Sequence, residues 1–302
     1  MAAKQYVWFD GKFMPFEDAK VHFLTHSLQY GSGIFEGIRA YETGKGPEIF
    51  RLDDHISRFL RTAKTYSMNL GYGKGQLRKA IIDLVRKNKL ESCYIRPFAF
   101  YNDTRIGLDT AGKKISVAIA AIPFGNYFEN KDKGISCKVS SWKRINSEIL
   151  PPHAKGSGNY MNSIIASQEA KEDGADEAIM LTMDGYVAEG PGENIFLVSE
   201  NKLITPSGES DILMGITRDS LLKIAESTGI VTEEREIHRE ELYTADEVFF
   251  SGTAAELTPI TKVDGRKIGS GKTGPITKLL SGKFSEIVHG KDEEFFSWLT
   301  YL

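Results

Sequence analysis

The chain is predicted to fold as a mixed α/β (α+β) protein of two domains, on three observations. Its 302 residues exceed what one compact core commonly serves. Stretches with the two-residue period of strands alternate with stretches of helical period in both halves. Between the halves, residues 124–134 carry two glycines, two asparagines and several charges without a strong period, as an interdomain connection would. The expected division is a smaller N-terminal α/β domain over residues 1–123 and a larger C-terminal domain over residues 135–302.

Each element has a local reason. Asp10-Gly11, a dipeptide favoured in tight two-residue turns, separates Tyr6-Val7-Trp8-Phe9 from Lys12-Phe13-Met14 and predicts a hairpin. A strand over residues 33–41 follows. A helix over residues 53–68 starts on Asp53 and spaces Ile56, Phe59, Leu60 and Ala63 helically; a second, over 76–88, repeats the pattern with Leu77, Ala80, Ile81, Leu84 and Val85. Strands over 92–101 and 114–123 close the first block. Beyond the connection, strands at 135–140, 177–182, 194–198 and 247–250 alternate with helices near 160–171, 218–228 and 276–288.

Composition excludes several classes. With 41% hydrophobic and 26% charged residues the chain is neither disordered nor fibrous. A net charge of -3 and a pI near 6.1 supply no basic field for a nucleic acid. Cys93 and Cys137 have neither disulfide-framework nor zinc spacing, and the six histidines form no ligand cluster, so no metal is expected. The longest apolar stretch, residues 115–124, is about half of the roughly 20 residues a membrane span needs, and the opening residues carry no apolar run of signal-peptide length. A cytoplasmic location without membrane partners is the expectation.

Four glycine-containing segments could let backbone approach a small molecule. They are residues 153–160, which open a helix around Lys155; 189–194, between two strands; 214–219, where Thr217 stands at a helix start suited to a phosphate; and 251–256, at the end of an apolar strand. None matches a nucleotide-binding loop, a G-x-S-x-G elbow or H-E-x-x-H.

Together with Tyr30-Gly31, Phe35-Glu36-Gly37-Ile38-Arg39 and Tyr94-Ile95-Arg96-Pro97, these segments in this order resemble the fold-type-IV pyridoxal-phosphate enzymes, most closely the branched-chain amino acid aminotransferases. The resemblance covers nearly the whole chain. It implies pyridoxal 5'-phosphate in the interdomain cleft, joined to Lys155 as a Schiff base, with Lys155 also moving the substrate proton. Glu189 would pair with the pyridine nitrogen and Tyr160 with the cofactor O3′; Arg58, the turn Gly215-Ile216-Thr217, Gly252 and Thr253 would hold the phosphate. Helical spacing alone puts Arg58 nearly opposite the apolar stripe, on a solvated face.

For substrate, the resemblance offers the Thr253-Ala254 N–H groups and Tyr94 to the α-carboxylate, and Tyr30, Phe35, Phe124 and Tyr127 as walls for an aliphatic side chain. Phe124 departs from the tryptophan of some relatives. Arg96 would engage the distal carboxylate of glutamate, and Tyr30 would act across a subunit boundary in a homodimer or higher homo-oligomer. The implied reaction transfers the amino group of leucine, isoleucine or valine to 2-oxoglutarate through the pyridoxamine form. Alternatives are a D-amino-acid or amine transaminase, an aminodeoxychorismate lyase, or a non-catalytic binding protein of the same fold.

Overall fold

The computed structural model describes residues 5–125, 127–128 and 133–302. The chain divides into two compact units, residues 1–125 with 154–158 and 287–302, and residues 126–153 with 159–286. The first unit thus takes in two later stretches of chain, one of which carries Lys155. The connection expected over 124–134 falls partly outside the described residues.

In the first unit, described residues form an eight-stranded antiparallel sheet in the order Leu299–Tyr301, Gly46–Phe50, Ile38–Thr43, Cys93–Tyr101, Ile115–Ile122, Tyr6–Phe9, Lys12–Pro15, with Gly33–Phe35 also paired to Cys93–Tyr101. The hairpin forms on Asp10-Gly11, both residues taking positive φ, 45° and 87°, as a type I′ turn requires. Helices Leu52–Thr65 and Lys74–Asn88 bury Ile56, Phe59, Leu77, Ile81 and Leu84 against Ile95, Ala99, Val117 and Ile119. Because side chains alternate along a strand, Tyr94, Arg96, Phe98 and Phe100 of Cys93–Tyr101 are sent to the other face.

One expected element is corrected. Residues 33–41 are not a single strand but two, Gly33–Phe35 and Ile38–Thr43, interrupted at Glu36-Gly37. The interruption lets the Glu36 carboxylate turn into a fully buried position, and a Cβ on Gly37 would stand 2.0 Å from the Tyr94 hydroxyl. A regular strand with a larger residue there would displace Tyr94.

In the second unit described residues form a nine-stranded mixed sheet in the order Val187–Glu189, Glu177–Leu181, Ile135–Val139, Glu256–Val263, Glu247–Gly252, Asn194–Ser199, Lys202–Thr205, Thr232–Glu234, with Arg266–Lys267 beside Glu256–Val263. Pairing is parallel where Ile135–Val139 meets its two neighbours and between Lys202–Thr205 and Thr232–Glu234. Glu177–Leu181 is buried along its whole length, as strands covered on both faces are. Helix Tyr160–Glu172 packs on it, and helix Ile216–Ser227 packs on Glu247–Gly252.

Two helix starts in this unit differ. At Pro275–Val288 the Glu247 carboxylate accepts the N–H groups of Ile276 and Thr277 at 2.9 and 2.7 Å, so the helix end already holds an anion of the chain's own. At Ile216–Ser227 the N-cap is Gly215, and the buried Thr217 N–H has no partner among the described residues. Among the described residues no helix is long and apolar enough to cross a membrane.

Candidate active site

Lys155 lies in an extended piece of chain docked on strand Gly33–Phe35. Phe35 N–H donates to the Lys155 carbonyl at 3.1 Å, Lys155 N–H donates to Thr62 Oγ1 at 3.3 Å, and Gly156 bridges to Ile34. Glycine is needed at 156, where a Cβ would come within 2.6 Å of the Tyr66 hydroxyl. The Lys155 Nζ stands 5.0 Å from the centre of the Phe35 ring. Desolvation, reinforced by the Arg58 charge and opposed by Glu36, brings its pKa down from 10.5 to about 8.

Beneath it lies a buried charge cluster. Arg58 donates from Nε to Glu36 Oε1 at 2.6 Å and from Nη2 to Oε2 at 2.8 Å, a bidentate pair, while His55 Nδ1 donates to Oε2 at 2.9 Å. Burial pushes the Glu36 pKa up, but the Arg58 charge and the hydrogen bonds from Arg58 and His55 outweigh it and hold the group well below the ordinary carboxylate range. Desolvation lowers the His55 pKa despite the opposing pull of Glu36. The solvated face expected for Arg58 is therefore wrong. His55, Arg58 and Thr62 form a second, polar row at helical spacing beside the apolar one, and all three are buried.

Arg96 donates from Nη2 to the Tyr94 hydroxyl at 3.0 Å and lies 4.7 Å over the Phe35 ring. Phe124 packs 5.0 Å from Tyr94, with Arg39 5.4 Å over its own ring. Phe35, Tyr94, Arg96, Phe124 and Lys155 are thus one constellation within the first unit. Tyr30 makes different contacts: its ring rests 4.6 Å from His26, and its hydroxyl accepts the Gly107 N–H at 3.2 Å.

The second unit brings together another set. Glu189, buried at the end of Val187–Glu189, accepts from Asn194 Nδ2 at 3.1 Å and from Leu213 N–H at 3.0 Å through Oε2, and Arg144 Nε lies 2.8 Å from its Oε1. Asn194 Nδ2 also donates to the Leu213 carbonyl at 2.8 Å, tying the 189–194 turn to the chain that leads into Gly215. Gly215 has to be glycine, since a Cβ would stand 1.9 Å from Asn194 Oδ1. The 251–256 turn joins antiparallel strands Glu247–Gly252 and Glu256–Val263, and the Thr253 and Ala254 N–H groups have no partner among the described residues. Tyr160 is half-buried at the start of its helix, and Tyr127 is half-exposed with its ring 4.8 Å from Phe128.

Sequence reasoning gave no role to four residues of these clusters: Glu36 and Asn194, which lie inside quoted motifs, and His55 and Arg144, which do not. His55 had a signal, its position three residues before Arg58 on one helix face. Arg144 had none, because nothing local links it to Glu189.

Within the first unit, a lysine amine of lowered pKa beside Arg58 and Arg96 is an arrangement for amine chemistry on an anionic ligand. The family model described as amino-transferase class IV matches residues 33–263, and the chain belongs to that family. It is 44% identical over 297 residues to the branched-chain-amino-acid aminotransferase of Escherichia coli, covering 97% of this chain and 96% of that protein. Among solved structures, the branched-chain aminotransferase of Thermoproteus uzoniensis with norvaline has a TM-score of 0.95 at 47% identity, covering 99% of both chains. The branched-chain amino acid aminotransferase of Thermobaculum terrenum, in its PLP-form, has a TM-score of 0.93 at 37% identity, covering 98% of both chains. The fold is that of these fold-type-IV aminotransferases, and the chain is an aminotransferase.

Proposed function

We propose that the protein transfers the amino group of leucine, isoleucine or valine to 2-oxoglutarate, giving the branched-chain 2-oxo acid and glutamate, with pyridoxal 5'-phosphate carried on Lys155. The observation that carries this is the Lys155 amine, desolvated beside Phe35 and flanked by Arg58 and Arg96. With a pKa of about 8, about a tenth of it is free base at pH 7, against roughly one in a few thousand for an ordinary lysine. The names of the relatives above agree with the substrate class.

The residues present fit the cofactor. Among the described residues, the buried Ser251 and Ser157 hydroxyls have no hydrogen-bond partner and the Thr217, Thr253 and Ala254 N–H groups are unengaged. On this reading Arg58, Gly215-Ile216-Thr217, Gly252 and Thr253 would hold the phosphate, Tyr160 would meet O3′ and Glu189 the ring nitrogen. When bound, pyridoxal phosphate supplies the electron sink that makes the substrate Cα proton removable. Lys155 Nζ takes that proton and returns it. Arg58, clamped by Glu36, contributes a fixed charge rather than one that must be ordered on binding.

Substrate orientation is divided in the same way. Thr253 and Ala254 N–H with Tyr94 take the α-carboxylate; Tyr30, Phe35, Phe124 and Tyr127 contact the side chain; and Arg96 takes the distal carboxylate of glutamate. Copies of the chain are proposed to associate over the sheet face that carries Phe98 and Phe100. There Phe9, Phe16, Leu28 and Arg96 help to border a largely apolar concavity of about 470 Å³. A cytoplasmic enzyme is the reading that suits its two buried free cysteines.

A panel of L- and D-amino acids and simple amines against 2-oxoglutarate tests the proposal. L-leucine, L-isoleucine and L-valine should be the best donors. Preference for a D-amino acid or an amine would overturn the substrate assignment.

A further inference from the structure

Glu189 is held from three sides inside the second unit. The residue is 4% exposed, Oε2 accepts from Asn194 Nδ2 and Leu213 N–H, and Oε1 faces Arg144 Nε at 2.8 Å. Arg144 is itself 7% exposed, and its backbone N–H is tied to the Leu181 carbonyl at 2.8 Å, so its position is set by the neighbouring strand. An isolated carboxylate in such a place would take up a proton, because the interior disfavours the charge. A carboxylic acid beside a pyridine nitrogen would donate its proton to a hydrogen bond and leave the ring neutral. A carboxylate there accepts the N–H of a pyridinium.

We propose that Arg144 is a positioning residue that keeps Glu189 ionised and aimed, and so fixes the protonation state of the cofactor's ring nitrogen without touching the cofactor. Asn194 and Leu213 can serve either form of the acid at Oε2; the cation at Oε1 is the group that discriminates between them. The inference rests on the assignment of Glu189 to the ring nitrogen and adds to it a residue that local sequence does not connect to the site. It also accounts for a buried arginine whose Nε makes no hydrogen bond within the described residues yet stands in ion-pair contact with Glu189.

The test is 15N NMR of the holoenzyme reconstituted with ring-15N-labelled pyridoxal phosphate, followed against pH. The wild type should give a pyridinium signal through neutral pH. Arg144→Met should give the neutral-pyridine signal, and Arg144→Lys, which restores a charge, should recover the pyridinium. Should Arg144→Met fail to accumulate as folded protein, Arg144→Gln, neutral but still a donor, asks the same question. A pyridinium signal retained in the neutral variants over the wild-type pH range would overturn the proposal, since a residue needed only for packing would leave the ring protonated. Glu189→Gln separates the two levels. If it too keeps the pyridinium, the assignment of Glu189 fails. If it loses the pyridinium while Arg144→Met keeps it, only the role of Arg144 fails.

Discussion

The two units solve opposite electrostatic problems at their site residues. In the first, a titrating amine is surrounded by charge: Lys155 feels Arg58 and Arg96 as cations and Glu36 as the counterweight. In the second, the site is built from one buried carboxylate, its arginine and backbone N–H donors, which do not titrate. The first arrangement suits a group that must gain and lose a proton in each cycle, and the second suits fixed binding. On the proposed function, proton movement would fall to the first unit and the holding of ring and phosphate mainly to the second.

The strongest way to break that contrast is Lys155→Ala. It should lower turnover by about a thousandfold or more, while the protein remains folded, because little buried apolar area is lost. Residual turnover within tenfold of wild type in a single-turnover assay would place the proton transfer elsewhere.

Next is Glu36→Gln, which leaves Arg58 as a buried cation with a neutral partner. Breaking a buried ion pair typically costs about 3 to 5 kcal/mol, readable as a fall in denaturation midpoint. The sign with pH follows from the direction of the shift. Since the folded-state pKa of Glu36 lies below its ordinary value, the pair's stabilisation is present above about pH 4.5 and is lost as pH falls toward the folded pKa. A Glu36→Gln variant as stable as wild type at pH 7 would show that the Glu36–Arg58 pair contributes no net stability.

How much of this could be read in the sequence depended on whether the cause was local. The hairpin at Asp10-Gly11 and the helix beginnings near Tyr160 and Gly215 were legible because turn and capping chemistry sit within a few residues. Gly46–Phe50 and Leu299–Tyr301, which pair with each other, were missed because short strands made of partner contacts leave little period. The site segments were legible as a set and weak singly. The environment of Arg58 was misread because its partner, Glu36, stands 22 positions away and enters only where the strand breaks at Gly37.

A more selective loss should sharpen the division of substrate contacts. Arg96 reaches Tyr94 and covers Phe35, so Arg96→Ala should lower kcat/KM about ten- to hundredfold with glutamate or 2-oxoglutarate and clearly less with leucine. The two half-reactions must be followed separately. Equal losses in both would make Arg96 a partner of the shared α-carboxylate.

The smallest effect is on stability. A lysine held near pKa 8 binds its proton less well folded than unfolded, so the folded chain is penalised below about pH 8 and relieved as pH rises toward 10.5. Lys155→Met should therefore stabilise the cofactor-free protein at pH 7 by on the order of 2 kcal/mol, a gain that shrinks above pH 8. A gain that does not change with pH would point to packing instead of charge.

The most direct measurement is hydride reduction of the cofactor-loaded protein followed by peptide mapping. A single phosphopyridoxyl adduct is expected on Lys155, in the peptide that runs into Gly156-Ser157-Gly158. An adduct on any other lysine, with Lys155 unmodified, would contradict the assignment.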